Sequence, residues 1–328
     1  MSLLLLSAAD VKAALPRGEA VLAAVATGLV AQAQGVAVAA PTVSFHPDPD
    51  ASGMISAIRG ALPGQGVAAV KLVGTYPDNA ASGLATNPGL MVLFDAATGR
   101  PRALLEASQL TTLRTAAVSA LGIRALARGD ARIVGCIGTR GIAVETLRLA
   151  LPDLQIDEVR LHGRDAAACE RAARALSEEL GVAVRATVSW RDCLEGADIM
   201  IDGASLPGHR ELFPGDVVGP GSLIVAFGAW SAFGPDLPDR IDRLVMDRWG
   251  DGEGGALGPH VAAGRISCHS VDAYIGDILS EQATGRNDPV ERILFWHRGV
   301  AACDIVLAQA VIAEAQCRGL GLAAPFDT

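Results

Sequence analysis

The sequence predicts an α/β protein in which a doubly wound parallel sheet is joined to a β-rich α+β N-terminal domain. The chain has 328 residues, more than one hydrophobic core usually accommodates, so two domains are expected. Half of the residues are hydrophobic but only 4% are aromatic, and small aliphatic side chains suit close packing of helices on a sheet. From Ala131 onwards strand and helix patterns alternate, which is typical of a parallel sheet.

The N-terminal part begins with a predicted strand over 3–6, followed by a helix. The segment Ser7-Ala-Ala-Asp10 has the form of a helix N-cap with an acidic residue in the first turn. A second helix is predicted over 19–34. The segment that follows, to about residue 106, is rich in β-forming residues, with strands predicted over 36–45, 67–74 and 90–95 and a hairpin turn at Thr98-Gly99.

After a helix predicted over 108–127, the chain alternates between strands and helices. Strands are predicted over 131–138, 158–162, 182–188, 198–201, 222–227 and 243–246. Helices are predicted over 141–151, 165–180, 191–194 and 299–318. No strand is predicted after the last helix, which is expected to return to the first domain. This order predicts the doubly wound sheet.

Charge and cysteine usage argue against several classes of partner. The formal net charge is −9 without a cluster of Lys and Arg, so nucleic acid is not an expected partner. The six cysteines are scattered without a C-x-x-C pair, which indicates reduced thiols and no metal site. The leucines at 3–6 are too few for a signal peptide, and no apolar run is long enough to span a bilayer. A cytoplasmic protein without a membrane partner is expected.

A glycine-rich turn follows the predicted strand over 131–138 and opens a helix. It reads Gly138-Thr139-Arg140-Gly141-Ile142-Ala143. Compared with the Rossmann pattern G-x-G-x-x-G/A, the first Gly and the last small residue are present, and Arg140 replaces the middle Gly. The turn predicts a Rossmann-type dinucleotide site, in which Arg140 either displaces the cofactor or places a guanidinium against it. The alternative is an ordinary strand-to-helix turn that binds nothing.

The end of the next strand bears on the choice of cofactor. In the segment Leu161-His162-Gly163-Arg164, Gly163 offers no acid to the ribose 2′-hydroxyl of NAD, whereas Arg164 can meet a 2′-phosphate. This favours NADP over NAD. The alternative is that Arg164 is a solvated surface charge.

Two single charges lie in apolar surroundings, Lys71 in the predicted strand VKLVGTYPDN (70–79) and Arg114 in the helical run TTLRTAAVS (111–119). Unpaired buried charges are costly, so both should face anionic partners. A substrate carboxylate and a structural salt bridge are both open as the partner.

These two segments carry a resemblance. Residues 70–79 with Thr86 downstream, and SQLTTLRTAAVSALGIRALAR over 108–128, resemble the two best-marked blocks of the ornithine cyclodeaminase and μ-crystallin family. The resemblance implies a substrate and dimerisation domain over 1–115, completed by 303–328, and a dinucleotide-binding domain over 116–302. It also implies a homodimer.

By the same resemblance, Lys71 is the catalytic and substrate-binding lysine, and Arg114 lies between substrate and cofactor. The activity implied is that of an NAD(P)-dependent oxidoreductase acting on a small amino, imino or keto acid. Taken from the glycine-rich turn and the resemblance together, the expected cofactor contacts are Thr86, Arg114, Gly138, Thr139, Arg140, Gly141, Ile142, Arg164, Ala204, Phe227 and His297.

Four positions depart from the family pattern. Pro41 stands where a substrate arginine is expected, Ile142 where a Gln is usual, and His297 where a Ser is usual. Trp230 replaces the aspartate that moves protons in cyclodeamination, which makes an ammonia-releasing cyclodeaminase with bound NAD the second hypothesis. A non-catalytic binding protein is the third. His297 either shuttles protons, contacts the cofactor or is structural.

Overall fold

The computed structural model describes residues 2–48, 53–204, 215–228, 232, 234–250 and 257–326. The chain divides into two compact units, one formed by Met1–Arg114 with Gly299–Thr328 and the other by Thr115–Arg298. In the described part, no single helix is long and apolar enough to cross a membrane, although the bent pair Ala8–Ala14 and Glu19–Ala33 passes this test jointly on length and composition.

The secondary structure confirms the predicted α/β class. The strands are β1 (Ser2–Leu6), β2 (Val38–Ala39), β3 (Val43–Phe45), β4 (Met54–Leu62), β5 (Val67–Thr75), β6 (Gly89–Asp95), β7 (Pro101–Glu106), β8 (Ile133–Ile137), β9 (Glu158–His162), β10 (Ala183–Ala186), β11 (Ile199–Asp202), β12 (Leu223–Phe227), β13 (Arg243–Met246), β14 (Ala273–Tyr274), β15 (Ile293–His297) and β16 (Leu322–Pro325). The helices are α1 (Ala8–Ala14), α2 (Glu19–Ala33), α3 (Ser108–Leu126), α4 (Ile142–Ala150), α5 (Ala166–Leu180), α6 (Trp190–Leu194), α7 (Gly258–Ala262), α8 (Ile275–Leu279) and α9 (Ala301–Cys317).

Several elements differ from the sequence-based expectation. The prediction that no strand follows the last helix was wrong, because β16 follows it and pairs antiparallel with β1. The predicted strand over 36–45 is interrupted at Pro41, which has no N–H to donate to a ladder. The strands β4, β7, β14 and β15 were not predicted. Of these, β4 contains Arg59 and Gly60, which weaken a strand pattern.

The first unit is a mixed sheet with the strand order β16-β1-β7-β6-β5-β4-β2, with β3 also paired to β4. Helix α9 packs closely on this unit because small residues line its contacts. A Cβ on Gly28 of α2 would lie 2.8 Å from the Cα of Cys303, and one on Gly60 of β4 would lie 2.6 Å from the Cβ of Ala301. The first turn of α9 is therefore held against the sheet, at the level of β4 and β5.

The second unit is a parallel sheet with the strand order β10-β9-β8-β11-β12-β15-β13-β14. The chain moves outward in one direction from β8 to β10 and in the other from β11, so the strand order reverses between β8 and β11. Ligands of such sheets bind outside the carboxyl ends of the strands at this reversal. The register aligns Ile137 with Asp202 and Phe227 with His297, which brings the ends of four strands to the same edge.

Candidate functional site

Lys71 is buried in the first unit, on the central strand β5. Its exposed fraction is 1%, and alternation along the strand points its side chain to the face on which α9 packs. The Nζ atom donates to Oδ1 of Asp304 in α9 at 2.6 Å. The buried ammonium therefore has an anionic partner within the chain.

Arg114 shares this partner. Its Nε donates to the same Oδ1 of Asp304 at 3.1 Å, and the exposed fractions of Arg114 and Asp304 are 4% and 1%. The other carboxylate oxygen, Oδ2 of Asp304, has no hydrogen-bond partner among the described residues. Lys71, Arg114 and Asp304, which we call the ion triad, thus place two cations around one carboxylate and carry one net positive charge.

The surroundings of Lys71 shift its protonation equilibrium. Burial and the neighbouring Arg114 lower the pKa of Lys71 to about 8, and the attraction of Asp304 opposes this decrease only in part. An amine with a pKa near neutral pH exchanges its proton readily, as general acid–base catalysis requires.

Gly299 fixes the position of the Arg114 guanidinium. Its φ of 90° lies in the left-handed region, and a Cβ at this position would lie 1.5 Å from Nη1 of Arg114. Only glycine allows the backbone to approach the guanidinium so closely. The segment from Gly299 to Asp304 therefore contacts the guanidinium at one end and accepts its Nε–H at the other.

The ion triad bears on both alternatives that the sequence left open. Salt bridges to Lys71 and Arg114 are present, and the amine of Lys71 is buried. Asp304 is the anion that these two cations share. Thr86 is half-buried, and the hydrogen bond that its hydroxyl donates goes to Oδ1 of the adjacent Asn87 at 3.4 Å.

Arg59 does not replace the arginine that is missing at Pro41. Its Nη2 donates to the carbonyl oxygen of Pro41 at 2.8 Å, so a guanidinium does lie beside this position. Directly opposed residues of antiparallel strands share a face, and Arg59 opposes Val70, whereas Ile58 opposes Lys71. Arg59 therefore points to the opposite face of the sheet from Lys71.

The glycine-rich turn of the second unit is closely packed at both ends. Gly138 has a φ of 118°, and a Cβ there would lie 3.1 Å from both the Cβ of Ala143 and the carbonyl oxygen of Gly203. Gly141, with a φ of 58°, is the N-cap of α4 and makes no side-chain capping bond. Arg140 is exposed and has no hydrogen bond or ion pair in the described part of the chain. The turn thus keeps its geometry without the middle glycine.

The end of β9 lies against this turn. A Cβ on Gly163 would lie 2.8 Å from Cγ2 of Thr139, so an acidic side chain cannot be accommodated at 163 without displacing Thr139. Arg164 is exposed, and within the described residues it forms neither a hydrogen bond nor an ion pair. The place of the ribose-binding acid is therefore taken by a glycine, and a guanidinium is available next to it.

His297 is fully buried in the second unit, with an exposed fraction of 0%. Its Nε2 lies 2.8 Å from Oγ of Ser119, and its ring stacks on Phe295 with the centroids 5.1 Å apart. The centroid of Phe227 is 6.0 Å away. This packing favours the structural alternative for His297.

Two buried acids were missed by the sequence reasoning. Asp304 is the fourth residue of the otherwise apolar first turns of α9, and an acid in such a run was the available signal. Asp202 ends the apolar strand β11 with an exposed fraction of 2%. Its carboxylate accepts the N–H of Ala204 at 3.2 Å and the N–H of Ala232 at 2.7 Å, so it joins the segments after β11 and β12.

Trp230 lies outside the described residues. Asp236, the next acid in the chain after Trp230, accepts the N–H of Gly215 at 3.0 Å and lies 3.6 Å from Nε of Arg240. No group of His, Cys, Asp or Glu among the described residues is placed to hold a metal ion. All six cysteines are free thiols, and Cys268 and Cys317 are the exposed ones.

The second unit defines the class of the protein. A parallel sheet whose strand order reverses next to a close-packed glycine turn is the architecture of dinucleotide-binding α/β proteins. A family model described as the ornithine cyclodeaminase/mu-crystallin family matches residues 2–318. The chain belongs to this family, which confirms the resemblance seen in its two sequence blocks.

Relatives and solved structures agree with this assignment. The Delta(1)-pyrroline-2-carboxylate reductase of Bacillus cereus is 28% identical over 260 residues, covering 77% of this chain and 78% of that protein. The Thermococcus litoralis enzyme of the same name, in complex with NADH and L-proline, matches with a TM-score of 0.89 at 24% identity, covering 98% of this chain and 99% of that chain. An archaeal alanine dehydrogenase dimer with bound NAD matches with a TM-score of 0.89 at 24% identity over 100% of both chains. At these identities the structural matches show a shared fold.

Proposed function

We propose that the protein is an NAD(P)-dependent oxidoreductase that reduces a small imino or keto acid, or oxidises the corresponding amino acid. The observation that carries this proposal is the ion triad, because it brings the cationic groups of Lys71 and Arg114 to one place, where a substrate carboxylate can bind to both. Relatives that are named as imino-acid and amino-acid oxidoreductases support the same class of reaction.

The chemistry needs three contributions. Arg114 and Lys71 hold the substrate carboxylate, since both are cations and both lie beside Asp304. The hydride for the carbon of the C=N or C=O bond would come from a nicotinamide dinucleotide when one is bound. Lys71 donates a proton to the nitrogen or oxygen of that bond, a role that suits its pKa of about 8. A buried site also excludes water from the reacting atoms.

The residues present fit a dinucleotide. The N-terminus of α4 has no side-chain cap, which leaves backbone N–H groups for a pyrophosphate. Gly138 and Gly203 keep side chains away from the turn, and Thr139 lies over Gly163 at the end of β9. Arg140 and Arg164 add two exposed guanidinium groups with no partner among the described residues.

The direct test is an assay with defined substrates. The protein is incubated with NADPH or NADH and Delta(1)-pyrroline-2-carboxylate, and separately with L-ornithine and NAD. We expect oxidation of the reduced cofactor in the first assay and little or no ammonia in the second, because Trp230 cannot act as the base of cyclodeamination. Robust formation of ammonia and proline would instead establish the cyclodeaminase alternative.

We predict that NADPH stabilises the protein more than NADH. The 2′-phosphate can pair with Arg164, and the residue at position 163 is a glycine, which does not repel it. The preference should be modest, roughly fivefold in Kd, since Arg164 is exposed and its pairing is screened. Thermal shifts at matched concentrations measure it. The Arg164→Gln change should remove the difference, and Arg174→Gln, another exposed arginine in α5, should keep it. Equal shifts with both cofactors would exclude the preference, and no shift with any dinucleotide would favour a non-catalytic protein.

We predict a homodimer formed through the first unit. Val43, Ala57, Leu72 and Leu90 are directly opposed in register across β3, β4, β5 and β6, on the face of the sheet opposite to Lys71. Val43, Leu72 and Leu90 are 55%, 40% and 41% exposed. A contiguous exposed apolar row is typical of an interface, and the related alanine dehydrogenase is described as a dimer.

Light scattering of the full-length protein tests this assembly. A charge at the centre of the row, Leu72→Glu, should produce monomers, because an unpaired carboxylate cannot be buried in an apolar interface. The matched control is Val290→Glu, which changes an apolar residue that is 59% exposed in the second unit and should leave the dimer intact. A monomeric unmodified protein would contradict the prediction.

A further inference from the structure

We propose that Asp304 is the positioning residue of the site, which keeps Lys71 protonated and orients Arg114 so that the two cations meet an anionic substrate together. This inference rests on the proposed function. It assigns a role to a residue that acts through Lys71 and Arg114, to both of which it is hydrogen-bonded.

The geometry gives Asp304 control over both cations. A single oxygen, Oδ1, accepts from Nζ of Lys71 at 2.6 Å and from Nε of Arg114 at 3.1 Å. Nε is the inner nitrogen of the guanidinium, so this bond orients the two terminal Nη groups. The backbone at Gly299 packs against Nη1 and limits where the guanidinium can lie. Loss of the carboxylate would leave Lys71 and Arg114 side by side without the anion that they share.

The lysine at position 71 stands out in a chain whose basic residues are almost all arginines. Lys12 and Lys71 are the only lysines, whereas the remaining basic residues among 27 Lys and Arg are arginines. Arginine stays charged in proteins, and lysine is the cation whose proton can be removed near neutral pH. A lysine at this buried position can therefore give up and regain a proton, and Asp304 raises the pKa at which it does so.

The charged and titratable groups that face Lys71 act in opposite directions. Arg114 in α3 lowers the pKa of Lys71, whereas Asp304 and, more weakly, Cys303 in α9 raise it, with burial as the largest contribution. If Lys71 donates a proton during reduction, activity is present below its pKa and is lost as the pH rises through about 8. Removing Asp304 must move this loss to lower pH, and removing Arg114 must move it to higher pH.

The test uses two variants with opposite expected shifts. In Asp304→Asn, which keeps the volume of the side chain, the alkaline limb of the pH profile of kcat/KM should move down by about one pH unit or more. In Arg114→Met the limb should move up, although the activity itself is reduced. A residue with a merely structural role would lower activity without moving the limb, so an unchanged limb in both variants would overturn the proposal.

A second measurement does not depend on turnover. Lysine labelled with ¹³C at Cε gives one NMR signal for Lys71 and one for Lys12, assigned from the Lys71→Met protein. The Lys71 signal should titrate near pH 8 in the unmodified protein, lower in Asp304→Asn and higher in Arg114→Met, while the signal of the exposed Lys12 is the same in all three. If these shifts are observed but the protein does not turn over imino acids, the role of Asp304 is supported and the proposed function is refuted. If Asp304→Asn does not fold, Asp304→Glu, which keeps the carboxylate but moves it by one methylene group, is titrated in its place, and a Lys71 signal that titrates as in the unmodified protein overturns the inference.

Discussion

The Lys71→Met protein should remain folded and bind a nicotinamide dinucleotide normally, while its kcat/KM for imino-acid or keto-acid reduction falls by about 10³-fold or more. Methionine keeps the volume of the buried lysine stem but removes the charge and the hydrogen bond to Asp304. Loss of one charged hydrogen bond to the substrate accounts for roughly a tenfold to hundredfold decrease. Loss of the proton donor adds a factor of about 10² to 10⁴.

Folding should survive this change because Asp304 keeps Arg114 as its partner. Lys12→Met, which removes the exposed lysine of α1, is the matched control and should have normal turnover. Steady-state kinetics and cofactor titration measure the two effects separately. If Lys71→Met unfolds the protein or leaves turnover intact, Lys71 is a structural ion-pair partner and the proposed site is wrong.

The second large effect is expected from Gly299→Ala, which should lower kcat/KM by about tenfold to a hundredfold. The added methyl group would overlap Nη1 of Arg114, only 1.5 Å from the Cβ position, so the guanidinium must move away from its place above the backbone. Its bond to Asp304 and its contact with the substrate carboxylate would then be lost together. Because alanine must also adopt the positive φ of position 299, the folded state of the variant carries a strain of about 1–2 kcal/mol.

Strain and displacement can be separated with a second glycine. Gly35 has a φ of 68°, and a Cβ there would have no atom within 4 Å. Gly35→Ala should therefore lose a similar amount of stability in thermal unfolding and keep its activity. A Gly299→Ala protein with unchanged kinetics would show that the position of the Arg114 guanidinium does not matter for turnover.

Much of the fold followed from local patterns in the sequence. The alternation of buried strands and helices from 131 to 246 predicted the parallel sheet, because period and turn residues act over short distances. The strand β16 was missed, since its residues Leu322–Pro325 have no strand pattern of their own and gain their conformation from pairing with β1. Pro325 has no N–H to donate. It is tolerated because β16 lies at the edge of the sheet, where no further strand needs a donor at this position.

The site was predictable only in part, for a physical reason. Lys71 and Arg114 stood out because a single charge in an apolar run demands a partner. The identity of that partner depends on a tertiary contact across 233 positions, which no local pattern encodes. Likewise, the sequence showed that Gly163 provides no acid, but only the structure shows that a side chain at this position would have to displace Thr139.

The division of the chain has a consequence for the order in which the protein is made. The second unit is one continuous stretch, Thr115–Arg298, whereas the first needs residues from both sides of it. During synthesis from the N-terminus the dinucleotide fold can therefore close before Asp304 has left the ribosome. Until α9 arrives, Lys71 lacks its counter-ion and β5 lacks the helix that covers it. Assembly of the ion triad is thus a late event in biogenesis, and a nascent chain halted before residue 301 would expose an incomplete first sheet to chaperones and proteases.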